Sequence, residues 1–144
     1  MKATVKGLAL AALTVVSAAA VADDADAIDY RRHVMISLGE QLAAIDMIVA
    51  KKAPADAFAT HVKTMAVVAT QAKLAFQPQI AGGKSKPEVW SNWADFAKRL
   101  DAMVAASDEL AKAAKEGNAA VVGPKIKTAM DCDGCHKIYM VPAH

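Results

Sequence analysis

Both cysteines of this 144-residue chain lie in one pentapeptide close to its C-terminus, Cys132-Asp133-Gly134-Cys135-His136. A disulfide between them would close only a tiny loop, so the fold must be stabilised by packing rather than by covalent cross-links. The C-x-x-C-H spacing is instead typical of the site at which a c-type haem is attached covalently. The motif therefore calls for a fold that can hold a large flat ring against the C-terminal segment.

The spacing of the motif suits the chemistry of haem attachment. Haem has two vinyl groups, and each can accept one thiol as a thioether. Residues at i and i+3 lie on one face of a helical turn, so Cys132 and Cys135 can reach the same edge of the ring. His136 follows directly, and imidazole is a good iron ligand. We therefore predict one haem c per chain, with Cys132 and Cys135 as its anchors and His136 as an axial ligand.

Three other interpretations of the motif stay open on the sequence alone. A thiol–disulfide redox pair usually follows a strand in a βαβ unit, and no such strand is visible here. A zinc site could use Cys132, Cys135, His136 and His144, although structural zinc sites usually draw their ligands from two separated pairs. A plain structural disulfide is the third. Haem attachment is favoured over all of them.

The first 22 residues are typical of a secretory signal peptide. Lys2 and Lys6 make the start basic, and the uncharged remainder consists mainly of Ala, Leu and Val. It ends in a small-x-small cleavage signal, Ala20-Val21-Ala22, and is short and weakly apolar for a membrane span. We predict export to the periplasm and cleavage after Ala22. Residues 23–144 then form the mature domain, without stable membrane insertion.

The charge balance argues against a nucleic-acid surface. The chain has 17 basic and 15 acidic residues, and removal of Lys2 and Lys6 brings the basic residues to 15 as well. A mature domain of near-zero net charge lacks the basic excess that binding to a phosphate backbone needs. No catalytic triad, phosphate-binding loop or pair of catalytic carboxylates is evident, so we do not predict an enzyme.

Four helical segments are visible in the mature region. Apolar residues recur at steps of three and four in each of them, which indicates one buried stripe per helix. A loop with Gly82-Gly83 and two prolines separates the second segment from the third, and Pro87 suits the first turn of the third. The predicted segments are about 29–52, 55–76, 87–116 and 119–140. Their stripes include Met35, Leu38, Leu42, Ile45 and Val49; Phe58, Val62, Met65 and Ala69; and Trp93, Phe96, Leu100, Met103, Ser107, Leu110 and Ala114.

These segments predict an all-α fold. Four amphipathic helices with mostly short connections favour an antiparallel up-down-up-down four-helix bundle, with haem attached to the fourth helix. Gly123-Pro124 is the uncertain point of that helix, because proline either kinks a helix or begins one.

The chain resembles the class II c-type cytochromes, the cytochrome c′ and cytochrome c-556 family. Three features carry the resemblance: the motif near the C-terminus, the pair Tyr30-Arg31 followed by Met35, and the sequence Pro87-Glu88-Val89-Trp90 at the start of the third helix. One departure is visible, because many members place basic residues four and five positions after the histidine. Met140 and Val141 stand there in this chain.

The resemblance makes Met35 the residue that decides the function. A second axial ligand opposite His136 would give six-coordinate iron and an electron carrier similar to cytochrome c-556. A Met35 that only packs over the ring would leave iron open to small gases such as nitric oxide, as in cytochrome c′. We expect one-electron transfer with periplasmic redox partner proteins. Gas binding is the alternative, and thiol–disulfide exchange is the least favoured function.

The resemblance also implies roles for residues outside the motif. Arg31 is similar to the family arginine that pairs with a haem propionate, a role that suits a guanidinium. Trp90 and Trp93 are expected to pack in the core or in the loop, and His33, His61 and His144 to be surface residues. A homodimer through the first two helices is a further expectation.

Overall fold

The computed structural model describes residues 23–116 and 119–142. The predicted signal peptide and His144 lie outside the described residues. The helices are α1 (Asp24–Val49), α2 (Phe58–Phe76), α3 (Glu88–Ser91), α4 (Trp93–Lys115), α5 (Ala119–Met130) and α6 (Cys132–Tyr139), and a 3-10 turn at Ala55–Ala57 precedes α2.

The first helix begins earlier than its apolar stripe predicted. The side chain of Asp23 accepts a hydrogen bond of 2.8 Å from the amide of Asp26, which caps α1. Asp24 and Asp26 also place negative charge at the positive end of the helix dipole. The predicted start near residue 29 was therefore late, because the cap and not the stripe determines where this helix begins.

Helices α1, α2, α4 and α5 form the predicted four-helix bundle. Helix α1 packs against α2 and α5, and α4 packs against the same two helices from the other side. The largest fully buried apolar side chains include Ile45 of α1, Val62 and Met65 of α2, and Ile126 of α5. Each such side chain contributes about 1.5–3 kcal/mol by leaving water. The all-α four-helix bundle is confirmed.

Two helices that were predicted as continuous are broken. The third is interrupted at Asn92, which has φ −121° and ψ 44° and separates α3 from α4. The fourth is interrupted at Asp131, whose left-handed φ of 44° separates α5 from α6. Pro124 lies inside α5, so the helix neither begins nor ends at this proline. The break at Asp131 isolates the C-x-x-C-H motif on its own short helix.

The helices of the described region include none that is long and apolar enough to cross a membrane.

Helices α1 and α5 approach each other at Gly123. A Cβ atom added at Gly123 would collide with the side chain of Val49, whereas one added at Gly39 on α1 would meet nothing within 4 Å. Glycine in a helix interior is normally unfavourable. Its presence at position 123 therefore follows from the close packing of α5 on α1.

We predict that Gly123→Ala destabilises the protein by about 1–2 kcal/mol, because the clash with Val49 outweighs the gain in helix propensity. Gly39→Ala is the control and should stabilise by about 0.5–1 kcal/mol. Urea unfolding followed by circular dichroism measures both. Val49→Ala should relieve most of the Gly123→Ala defect in the double variant, and a Gly123→Ala protein as stable as the Gly39→Ala protein would contradict the close approach.

Candidate functional site

The motif helix α6 is set off from the bundle by its N-terminal residue. The carbonyl of Asp131 accepts the amide of Cys135 at 3.1 Å. The Asp131 carboxylate lies over Gly134, where any Cβ atom would collide with it. A side chain at position 134 would therefore displace the Asp131 carboxylate, a contact that sequence spacing alone did not predict.

The two cysteines of the motif are free thiols that are half-buried. Burial is the main cause that raises the pKa of each thiol above its usual range. Arg99 opposes this at Cys135 to a smaller extent. Both groups therefore stay protonated at neutral pH, which is unlike the lowered pKa values of catalytic redox cysteines.

Each cysteine packs against a different apolar cluster. Cys132 contacts the main core of the bundle. Cys135 contacts a second group, the aromatic cluster. The members of the aromatic cluster are Phe76, Val89, Phe96, Leu100 and Tyr139. Met35 from α1 and Met103 from α4 are partly buried and contact both clusters, so two thioether side chains lie where the two clusters meet.

Arg31 is a buried cation with an unusual set of partners. Its side chain is 3% exposed, and it donates hydrogen bonds to the carbonyls of Ile80 at 3.0 Å and Gly82 at 3.1 Å. The guanidinium also lies 5.2 Å from the ring centres of Phe76 and Trp90. Burial lowers its pKa. The structure thus assigns Arg31 a role in holding the loop before α3, and the predicted propionate contact stays a prediction.

Trp90, whose ring lies beside the Arg31 guanidinium, has a buried hydrogen-bond donor without a partner. Its indole Nε1 is the one buried side-chain nitrogen or oxygen of the described residues that has no hydrogen-bond partner. Buried donors normally have a partner, since leaving one unpaired costs free energy. A buried guanidinium without a carboxylate and an adjacent unpaired N–H together suit a carboxylate ligand. The residues present therefore fit a haem, which has two propionates, two vinyl groups that react with thiols, and a large apolar surface.

A polar network lies on the other flank of α6. The hydroxyl of Tyr139 donates to Oδ2 of Asp95 at 2.6 Å and accepts a hydrogen bond from the side-chain amide of Asn92 at 3.2 Å. Arg99 donates from Nε to the same Asp95 oxygen at 2.7 Å, and its Nη1 lies 3.6 Å from Asp131. The hydrogen bond from Tyr139, followed by that from Arg99, lowers the pKa of Asp95.

Sequence reasoning missed this network. The i,i+4 spacing of Asp95 and Arg99 on α4 could have indicated their ion pair. Their contacts with Tyr139 and Asp131 could not be found that way, because they depend on how α6 packs on α4.

The remaining candidate ligands lie apart from one another. His33 is exposed beside Arg32, and half-buried His61 contacts Gln41 at 2.9 Å. The described residues contain no group of three or more His, Cys, Asp or Glu side chains placed to hold a metal ion. The fourth zinc ligand considered from the sequence, His144, lies outside the described residues.

Comparison with known proteins identifies relatives over most of the chain. The sequence profile of the family Cytochrome C′ matches residues 26–140. The cytochrome c′ of Rubrivivax gelatinosus is 34% identical over 118 residues, which cover 77% of this chain and 91% of that protein. The cytochrome c′ of Rhodospirillum rubrum is 31% identical over 134 residues, which cover 90% of this chain and 91% of that protein.

Solved structures agree with the fold. A crystal structure of cytochrome c′ from Rubrivivax gelatinosus superimposes with a TM-score of 0.71 at 28% identity, covering 82% of this chain and 97% of that one. A cytochrome c′ variant from Alcaligenes xylosoxidans with bound nitric oxide gives a TM-score of 0.75 at 23% identity, covering 85% and 99%. The second likeness supports the fold alone.

We predict that the Tyr139–Asp95 contact stabilises the protein above about pH 4 and that this contribution is lost at lower pH. A carboxyl with a lowered folded-state pKa stabilises above its unfolded pKa of about 3.9, and the gain disappears as the pH falls through the folded value. Tyr139→Phe should therefore lose less stability than the parent between pH 6 and pH 3, as measured by urea unfolding. Tyr30→Phe removes an exposed hydroxyl bonded to the uncharged Gln71 and is the control. Equal losses in both variants would contradict the prediction.

Proposed function

Because this chain belongs to the cytochrome c′ family, a family of haem-binding proteins, we propose that it carries one haem c joined by thioethers to Cys132 and Cys135, with His136 as axial ligand. When bound, haem supplies an iron that can change oxidation state and bind a small ligand. The observation that carries the proposal is the pair of half-buried cysteines one turn apart on α6, with His136 directly after the second. Each thiol is flanked by one of the two apolar clusters, which supports the burial of a large ring there.

Arg31 and Trp90 would hold a propionate of the bound haem. The guanidinium offers charge and donors, and the indole N–H offers one unpaired donor beside it. A charge-assisted hydrogen bond to a carboxylate would satisfy the buried N–H and neutralise the buried cation. Both residues would thus orient the ring and shield its carboxylate from water.

Binding of a small neutral gas is the function that the geometry supports best. The aromatic cluster around Cys135 is apolar, and its one hydroxyl, on Tyr139, is already bonded to Asp95. Such a lining offers little to a charged or strongly hydrogen-bonding ligand and suits nitric oxide or carbon monoxide. Cytochrome c′ from Alcaligenes xylosoxidans has been solved with bound nitric oxide and with bound carbon monoxide, so a member of the family to which this chain belongs binds such gases.

One-electron transfer is the second candidate function, and Met35 favours it. Its side chain packs against both clusters, and each cysteine of the motif packs against one of them. A thioether bound to iron opposite His136 would favour the ferrous state and raise the potential, as in an electron carrier. The predicted signal peptide supports a periplasmic location for either function, with redox partner proteins there for the second.

Thiol–disulfide exchange is the least supported function. Attack on a disulfide needs a thiolate, and burial raises the pKa of both Cys132 and Cys135. The predicted homodimer stays a prediction. Exposed apolar residues on α1 and α2, with Ile36, Met47, Val67 and Leu74 between 46% and 55% exposed, could supply part of its interface.

We predict that the protein purified from cells able to mature c-type haem has the mass of the mature chain plus one haem. The haem should resist acid–acetone extraction, and denatured protein should contain no thiol that reacts with a maleimide. The double variant Cys132→Ala/Cys135→Ala should contain no covalent haem. Two reactive thiols and no added mass in the parent protein would overturn the proposal and support a free thiol pair.

We predict that the parent protein has a high-spin, five-coordinate spectrum and binds carbon monoxide at once. Met35→Leu should keep this spectrum under the gas-binding function, since the side chain then only packs. Met103→Leu is the matched control, because Met103 also contacts both clusters. A low-spin parent that becomes high-spin in Met35→Leu but not in Met103→Leu would overturn gas binding and establish Met35 as the second ligand.

A further inference from the structure

Arg99 lies on α4, outside the motif, and is connected to both ends of the motif helix: directly at Asp131, and through Asp95 at Tyr139. Its side chain is 33% exposed, and its guanidinium bridges two carboxylates. The first, Asp95, is on α4 one turn earlier. The second, Asp131, directly precedes Cys132. The guanidinium of Arg99 therefore connects helix α4 of the bundle to the segment that bears the motif.

The C-terminal end of α6 is connected through Asp95. One oxygen of Asp95 accepts hydrogen bonds from Arg99 Nε at 2.7 Å and from the Tyr139 hydroxyl at 2.6 Å. Tyr139 is 3% exposed, and its ring contacts Phe96 edge-on with a centroid distance of 4.9 Å. It lies three residues after His136, so fixing its hydroxyl fixes the turn that carries the imidazole.

The N-terminal end of α6 is connected through Asp131. The distance from Arg99 Nη1 to Asp131 Oδ2 is 3.6 Å, and Asp131 has the left-handed conformation that starts α6. A non-glycine residue in this conformation is strained, so contacts elsewhere must hold it. Its backbone carbonyl binds the amide of Cys135 at 3.1 Å, and its side chain faces Arg99.

We propose that Arg99 is a positioning residue that holds both ends of the motif helix and keeps a permanent positive charge beside the attached haem. The inference rests on the proposed haem attachment at Cys132 and Cys135. The charge lies beside the motif, because Arg99 Nη1 is 3.6 Å from the carboxylate of Asp131, which directly precedes Cys132. A guanidinium stays charged at every physiological pH, so this contribution does not titrate.

The sign of the electrostatic effect follows from charge balance. Reduction lowers the positive charge on iron, so a nearby cation favours the ferrous state. Removal of Arg99 would also leave Asp95 and Asp131 uncompensated on the two flanks of α6, and both favour the ferric state. Asp133 and Lys137, the other charged residues of α6, are exposed and are unchanged by the substitution.

The test compares Arg99→Met with Lys112→Met in the haem-loaded protein. Lys112 lies on the same helix, pairs with Glu109 in an exposed i,i+3 bridge, and is about 20 Å farther along α4. At a fixed solution potential, Arg99→Met should lower the ferrous-to-ferric ratio by about three- to tenfold at low salt. Lys112→Met should leave that ratio unchanged. The ferrous-to-ferric ratio of Arg99→Lys should stay close to that of the parent protein, because lysine retains the positive charge.

Positioning is tested separately from charge by a double-variant cycle. The effects of Arg99→Met and Tyr139→Phe on the free energy of unfolding should be non-additive, since both residues bind the same Asp95 oxygen. Additive effects, or a ferrous-to-ferric ratio in Arg99→Met equal to that in Lys112→Met, would overturn the inference. Absence of covalent haem in the parent protein would instead overturn the proposed function, so the two failures are distinguishable.

Discussion

The docking of the short helix α6 is the interaction on which the site depends. The loop before α3 is bonded to its C-terminal end, because the amide of Lys86 donates to the Tyr139 carbonyl and the amide of Val141 donates to the Lys84 carbonyl, each at 2.9 Å. That loop is held in turn by the buried guanidinium of Arg31. A single cation on α1 thus supports, through backbone hydrogen bonds, the position of the segment that carries both cysteines.

The second helix shows what the sequence could predict. All four members of its predicted stripe, Phe58, Val62, Met65 and Ala69, are buried. Periodicity succeeds here although α2 packs against both α1 and α4, because the predicted residues recur at helical spacing on the face that these two helices cover. In α1 the stripe was partly wrong, since Val49 is 37% exposed while Val34 and Ile48 are buried. The face of α1 that becomes buried depends on its contacts with both α2 and α5, which no local pattern contains.

The helix breaks and the polar partners could not be predicted. Asn92 and Asp131 leave helical geometry, and neither is a glycine or a proline, the residue types that mark a helix break most clearly in a sequence. Trp90 was expected to be a packing residue, and nothing in the sequence showed that its N–H would be buried without a partner. The motif, by contrast, could be recognised from the sequence, because its chemistry is local and requires residues only one turn apart, and the roles given to Cys132, Cys135 and His136 stay predictions.

The choice between the two candidate functions depends on one sulfur atom and on the rigidity around it. Met35 belongs to a helix held at its start by Asp23 and fixed one turn before the sulfur by buried Arg31. A long, unbranched thioether can adapt to a gap without backbone movement. Whether it binds iron is therefore decided by the free energy of that bond against its packing between the two clusters. Met35 is partly buried against both clusters, so binding to iron would replace part of this packing. The sequence put electron transfer first on the ligand chemistry of methionine, with core packing of Met35 as the alternative, and it could not show that this side chain contacts both clusters.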